Sequence, residues 1–123
     1  LNLGHTFGHA LEAETGFSDR LLHGEAVTAG MALAFRFSAR QGSCSAQDAE
    51  RVSAHLRAVG LPDGLATAGV NADGDRLVGH MLHDKKMSGG TLPFILARGI
   101  GQAYVDRSVS LADVAAFLDT ETR

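Results

Sequence analysis

Ten consecutive residues, Ala26-Val27-Thr28-Ala29-Gly30-Met31-Ala32-Leu33-Ala34-Phe35, are apolar on nearly every side of a helix. A helix without a polar face must be covered by other elements. The run therefore predicts a buried central helix over residues 23–41, with the rest of the chain packed around it. Its many small residues let neighbouring helices approach closely. Gly42 is placed to stop it, and Ser43-Cys44-Ser45 turns the chain.

The other segments read as partners for that helix. Leu3, Phe7, Ala10, Leu11 and Glu14 recur at spacings of three and four, which predicts a helix over 3–15 that ends at Gly16. The short link 16–22 favours an antiparallel helix pair. Ser45 through Asp48 caps a third helix, 46–59, with Ala49, Val52, Leu56 and Val59 inward and Arg51, His55 and Arg57 outward. Gly60-Leu61-Pro62 ends it, and the Gly- and Ala-rich residues 63–72 read as a loop. Asp73 or Asp75 caps a fourth helix, 74–87, with an apolar stripe of Leu77, Val78, Met81 and Leu82. Thr91 to Arg98 is a short apolar run between glycines and reads as a strand, with Pro93 at an edge or at its start. A second strand follows at 102–106, and Ser110 to Asp113 is a capping box for a last helix reaching about residue 119. The expected fold is mainly α, one helical domain over 1–123 with one small β-hairpin.

Charge and composition exclude several classes of function. A net charge of −3 gives no reason to expect nucleic acid or an anionic membrane as partner. No stretch is apolar for the 18 or so residues that a membrane span needs. The lone Cys44 has no partner for an internal disulfide, which fits the cytoplasm, and nothing around it in sequence would activate it as a nucleophile.

The chemistry concentrates in three histidines. His5 and His9 are four residues apart in Leu1-Asn2-Leu3-Gly4-His5-Thr6-Phe7-Gly8-His9-Ala10, so on a helix they share one face. His23 opens the next helix in His23-Gly24-Glu25-Ala26-Val27. Antiparallel packing could bring the three imidazoles to one point, as a transition-metal site or an acid/base cluster. The zinc-protease pattern does not apply, because no Glu lies between His5 and His9. Further along, Met81-Leu82-His83-Asp84-Lys85-Lys86 ends a helix in two lysines. Terminal lysines of this kind are ordinarily solvated and complement the helix dipole.

The string Asn2 to Ala10, followed by His23-Gly24-Glu25-Ala26-Val27, resembles the metal-binding core of the dehydroquinate synthase family of sugar-phosphate cyclases, and Asp84-Lys85-Lys86 resembles that family's Asp-Lys-Lys segment. The resemblance covers the whole chain and matches the family's helical C-terminal domain. It implies that the chain is a fragment of a two-domain enzyme whose N-terminal NAD-binding domain is absent. It also implies that His5 and His23 bind zinc, or another divalent metal such as cobalt, with a third ligand, a Glu, from that other domain. Neither Glu12 nor Glu25 matches the third ligand; Glu25 reads as an outer carboxylate or a helix N-terminal one. His9 is implied in substrate binding and proton chemistry, Asn2 in contacts to substrate hydroxyls, and one of Lys85 and Lys86 in reaching the substrate phosphate. For His55, His80 and His83 an ordinary surface or neighbouring role leads.

The implied reaction converts 3-deoxy-D-arabino-heptulosonate 7-phosphate to 3-dehydroquinate and phosphate, a step of aromatic amino acid biosynthesis by the shikimate pathway. NAD oxidises one carbinol transiently, phosphate is eliminated, the ketone is reduced again and an aldol step closes the ring. The fragment alone is expected to be inactive, because it supplies one wall of a site between two domains. The resemblance also raises a homodimer as the assembly. The alternatives are another sugar-phosphate cyclase of the deoxy-inosose or valiolone type, and an iron-dependent alcohol or glycerol dehydrogenase, which has no need of a phosphate-reaching lysine. A different class again is a helical interaction module without catalysis.

Overall fold

The computed structural model describes residues 3–16 and 18–122. Its elements are α1 (His5–Glu14), α2 (His23–Arg40), α3 (Ala46–Ala58), α4 (Gly74–Met87), β1 (Phe94–Gly99), β2 (Gln102–Asp106) and α5 (Leu111–Glu121). β1 and β2 form one antiparallel hairpin, with Phe94 opposite Asp106 and Leu96 opposite Tyr104. No described helix is long and apolar enough to cross a membrane. The mainly helical architecture with a single small hairpin is the one the patterning predicts.

α2 is the central helix. Ala26, Ala29, Ala32, Leu33, Ala34 and Phe37 are wholly buried, and α1, α3 and β1 all pack against it. Its buried Ser38 hydroxyl bonds to the Ala34 carbonyl and accepts the Ala97 amide of β1 at 3.1 Å, so the hairpin is fastened to the helix by a satisfied polar contact. Four phenylalanines close the interior, Phe7 from α1, Phe37 from α2, Phe94 from β1 and Phe117 from α5. Phe7 and Phe94 meet edge-to-face at 5.6 Å, and Phe37 and Phe117 at 5.4 Å, the geometry that ring quadrupoles favour.

α1 and α2 cross through glycines. A Cβ placed on Gly30 would lie 2.6 Å from the Gly4 carbonyl oxygen and 2.8 Å from the Gly8 nitrogen, closer than real Cβ atoms come. A Cβ on Gly8 would lie 3.0 Å from the Ala26 oxygen. Gly4 pairs with Gly30, Gly8 with Ala26, and Glu12 with His23, so the helices run antiparallel. Gly4 is also the N-cap of α1 at φ 73°, a conformation costly for any residue with a Cβ. Its amide donates to the Ile95 carbonyl of β1 at 3.3 Å.

The caps follow the sequence reading. Ser45, Asp73 and Ser110 each accept a backbone amide three residues on, from Asp48, Arg76 and Asp113. Three expectations need correction. Val59 is exposed, because it caps α3 after the helix has ended, and the inward position goes to Ser53. Ser53 is buried because it accepts from Arg36 at 2.6 Å. Leu82 is exposed, because α4 packs mainly on α1 and α5 and Leu82 lies outside that face. The first strand begins at Phe94 rather than Thr91, after Pro93, whose carbonyl accepts the buried Thr6 hydroxyl at 2.9 Å.

Residues 63–72 hold no helix or strand, yet Leu65, Ala68, Val70 and Ala72 are buried in the core. Arg36 secures this stretch. Its guanidinium forms a bidentate pair with Glu121 of α5 (2.6 Å at the shortest) and donates to the Asp63 carbonyl at 2.7 Å. At the far end of α1, Glu14 accepts from Arg76 at 2.6 Å and His80 at 3.0 Å. Burial alone would raise the Glu14 carboxyl, but these two hydrogen bonds and the Arg76 charge hold it below the usual value.

Two outcomes follow from this packing. Gly30→Ala forces the helices apart and should cost about 2 kcal/mol, roughly 5–10 °C in Tm, read by calorimetry. The depressed Glu14 carboxyl makes the folded state shed a proton that the unfolded chain retains. Its contribution is complete above the ordinary value of 4.5 and is lost as pH falls through the lower folded value. Glu14→Gln should therefore flatten the acid limb of a stability–pH curve and leave its shape near neutrality unchanged.

Candidate functional site

Because α1 and α2 touch backbone to backbone at Gly4, Gly8 and Gly30, the surface beside the crossing is lined by what projects from their edges. It opens as a cavity of about 410 Å³ lined by His5, His9, Glu12, His23, Val27 and Met31. The first turns of α1 bring His5 and His9 there, and the first residue of α2 brings His23. On the other flank of the same two α1 histidines lies a second cavity of about 540 Å³, lined also by Thr6, Asp84, Met87 and Ile95. The His5–His9 pair is thus a ridge between two clefts.

The three imidazoles share one cavity, as the helix pairing predicts, but they do not converge on one point. The rings of His5 and His9 stack with centroids 6.0 Å apart and planes 20° apart, close to the spacing of adjacent helical turns. The Nδ1 of His23 lies 3.2 Å from both carboxylate oxygens of Glu12. Among the described residues no group of three or more His, Cys, Asp or Glu side chains is close enough together to hold a metal ion.

That donor set bears on a metal. Imidazole nitrogen suits Zn²⁺ and similar divalent ions, and His5 and His23 can offer two such ligands. A catalytic zinc needs three protein ligands and an open position, so the chain fits as the donor of part of a coordination shell.

The remaining candidates separate. Asn2 lies outside the described residues. Lys85 and Lys86 are exposed in the last turn of α4, and neither lines the two clefts. Lys85 instead lines a separate notch of about 100 Å³ with Arg107 and Gly90. Glu25 accepts the Leu22 amide at 2.9 Å and so serves the start of α2. His55 and His83 are exposed, and His80 is engaged with Glu14. Burial, and then the Asp48 charge, push the Cys44 thiol up, so it is a poor nucleophile.

Two carboxylates at the site escape a reading by motif. Glu12 meets His23 because the α1–α2 crossing brings them together. Asp84, placed on α4 immediately before the lysines, has an oxygen 2.5 Å from Nδ1 of His9. That contact spans 75 residues, and nothing in the linear sequence signals it beyond the position of an acidic residue in the Asp84-Lys85-Lys86 segment.

Comparison with known proteins places these features in a family. The model described as 3-dehydroquinate synthase C-terminal matches residues 1–87. The 3-dehydroquinate synthase of Zymomonas mobilis is 62% identical over 120 residues, covering 98% of this chain and 32% of that protein. The 3-dehydroquinate synthase of Caulobacter vibrioides is 56% identical over 122 residues, 98% of this chain and 33% of its own length. The chain thus spans about a third of the curated relatives it matches. Among solved structures, 2-epi-5-epi-valiolone synthase from Streptomyces hygroscopicus, with NAD⁺ and Zn²⁺ bound, superposes with a TM-score of 0.78. It is 28% identical, with 97% of this chain and 31% of that one covered. A 2-deoxy-scyllo-inosose synthase complexed with carbaglucose-6-phosphate, NAD⁺ and Co²⁺ gives 0.71 at 25% identity, covering 98% of this chain and 33% of that one.

Proposed function

Because this chain belongs to the 3-dehydroquinate synthase C-terminal family, we propose that it is the helical, metal-binding part of a 3-dehydroquinate synthase. The whole polypeptide would convert 3-deoxy-D-arabino-heptulosonate 7-phosphate to 3-dehydroquinate and phosphate. The observation that carries the reading is the single cavity shared by His5, His9 and His23 beside the α1–α2 crossing. The two-thirds of such a polypeptide outside this chain would supply the NAD site and the rest of the metal shell, and the reaction would take place between the two parts. A cytoplasmic location accords with the single free Cys44.

The residues divide the work by position. His5 and His23 hold the divalent ion, Zn²⁺ in the first instance, which when bound polarises a substrate hydroxyl and lowers its pKa. Glu12 contacts His23 at Nδ1, the arrangement that orients a ligating ring toward its metal. His9 sits against His5 on the ridge and faces the same substrate, where it binds a hydroxyl and moves a proton. Asn2 adds a contact to substrate hydroxyls. One of the exposed Lys85 and Lys86 reaches the phosphate as a point charge, which suits a group that must leave.

The curated relatives favour the dehydroquinate product over the valiolone and deoxy-inosose products of the solved neighbours, since the identities are 62% and 56% against 28% and 25%.

Two measurements test the reading. In the polypeptide that joins this chain to its upstream part, His5→Ala and His23→Ala should each weaken Zn²⁺ binding by more than about 100-fold, beyond the loss typical of an outer partner. His55→Ala should leave it unchanged. The same polypeptide with NAD and Zn²⁺ should release phosphate from the heptulosonate phosphate, and this chain alone should release none. Net NAD reduction on a simple polyol, without phosphate release, would replace the cyclase with a dehydrogenase.

A further inference from the structure

The Asp84–His9 contact is the shorter of the two carboxylate–imidazole contacts at the site, the other being Glu12 with His23 at 3.2 Å. It is short, 2.5 Å from Oδ2 to Nδ1, and joins the last turn of α4 to the middle of α1. Both side chains are partly shielded, at 25% and 37% exposure, so the bond is neither lost in solvent nor sealed in the core. Asp84 stands on a firm base. Met81, one turn back, is wholly buried, and the Asp84 carbonyl accepts from the amide and the hydroxyl of Ser88 at 3.0 and 2.9 Å. His5 stacks on the face of the same ring. The His9 imidazole is therefore held along one edge by a carboxylate and on one face by another ring.

A carboxylate only accepts, so the proton in this bond belongs to Nδ1. The two ring nitrogens are distinct, and the partner of one decides which form the other takes. With Nδ1–H given to Asp84, the neutral ring carries its lone pair on Nε2. We propose that Asp84 is the positioning residue of His9, holding the tautomer and ring orientation in which Nε2 accepts a proton from a substrate hydroxyl and later returns it. The proton on Nδ1 stays in the Asp84 bond throughout, and the charge that appears on the ring is balanced by the carboxylate. The catalytic part of this proposal rests on the reading of His9 as the proton-moving residue. The tautomer part stands without it.

A purely structural clamp between α1 and α4 would make a different prediction. Its loss would lower stability and release the tautomer but leave the turnover of the folded protein alone. The test labels the histidines with ¹⁵N and records long-range ¹H–¹⁵N spectra near pH 8, where an ordinary imidazole is neutral. His9 should be in the Nδ1–H form in the unmodified chain, shift toward Nε2–H in Asp84→Ala, and return in part in Asp84→Glu. An Nε2–H form in the unmodified chain overturns the proposal, and that reading needs no variant to fold. So does a ring unchanged by Asp84→Ala. In the full polypeptide, Asp84→Ala should lower kcat by about tenfold or more with KM little altered, and Asp84→Glu should recover part of it. If the unmodified polypeptide turns over and folded Asp84→Ala matches it, the positioning role fails. If the unmodified polypeptide makes no product at all, the cyclase reading fails, and the tautomer spectrum still decides the Asp84–His9 assignment.

Discussion

The backbone contact of α1 with α2 is the constraint on which the rest of the structure depends. Gly4, Gly8 and Gly30 leave no room for a methyl group between the two helices. Helices with larger residues at a crossing stand 8–10 Å apart, and here the glycines remove the side chains that set such a distance. Proximity of this kind has a chemical consequence. It brings the N-terminal face of α1 and the first residue of α2 to one cavity, so His5, His9, Glu12 and His23 belong to a single site. It also holds α1 in place, a helix of only ten residues, which would be marginal alone.

The core holds that crossing in register. The phenylalanines of α1, α2, β1 and α5 meet in the middle, and Arg36 binds α2 to α3, α5 and the loop before α4 through Ser53, Glu121 and the Asp63 carbonyl. Every hydrogen bond of that guanidinium goes to a partner on another element, so the charge is satisfied where it is half-buried. The polar contacts that touch the site are of a different kind. Glu12 with His23 and Asp84 with His9 line the clefts and are more exposed to solvent.

Local patterns carried much of the fold. The 3.6-residue periodicity of α1 to α4, the Ser and Asp caps and the glycines at Gly16, Gly42 and Gly60 are short-range properties, and the helices start and stop within a residue or two of them. Where packing rather than periodicity decides, the pattern misleads. Val59 and Leu82 look inward by spacing, yet one follows the end of its helix and the other lies outside its contact face. Leu65, Ala68, Val70 and Ala72 have no periodicity to advertise burial, yet they join the same core cluster as the helices.

The histidine string, the lysine pair and the helices that carry them were determined by the sequence itself, because residue type and spacing along one helix are local facts. The crossing geometry, in outline, was also implicit in the small residues of α2. What only the tertiary structure decided is which carboxylate faces which imidazole. Glu12 reaches His23 across an antiparallel pair, and Asp84 reaches His9 across 75 residues of chain. It also decided that the three rings line a shared cavity without converging, since His5 and His9 stand one above the other while His23 turns to Glu12. The physical reason is that side-chain chemistry is written residue by residue, whereas the distance between two residues far apart in sequence is set by how every intervening element packs.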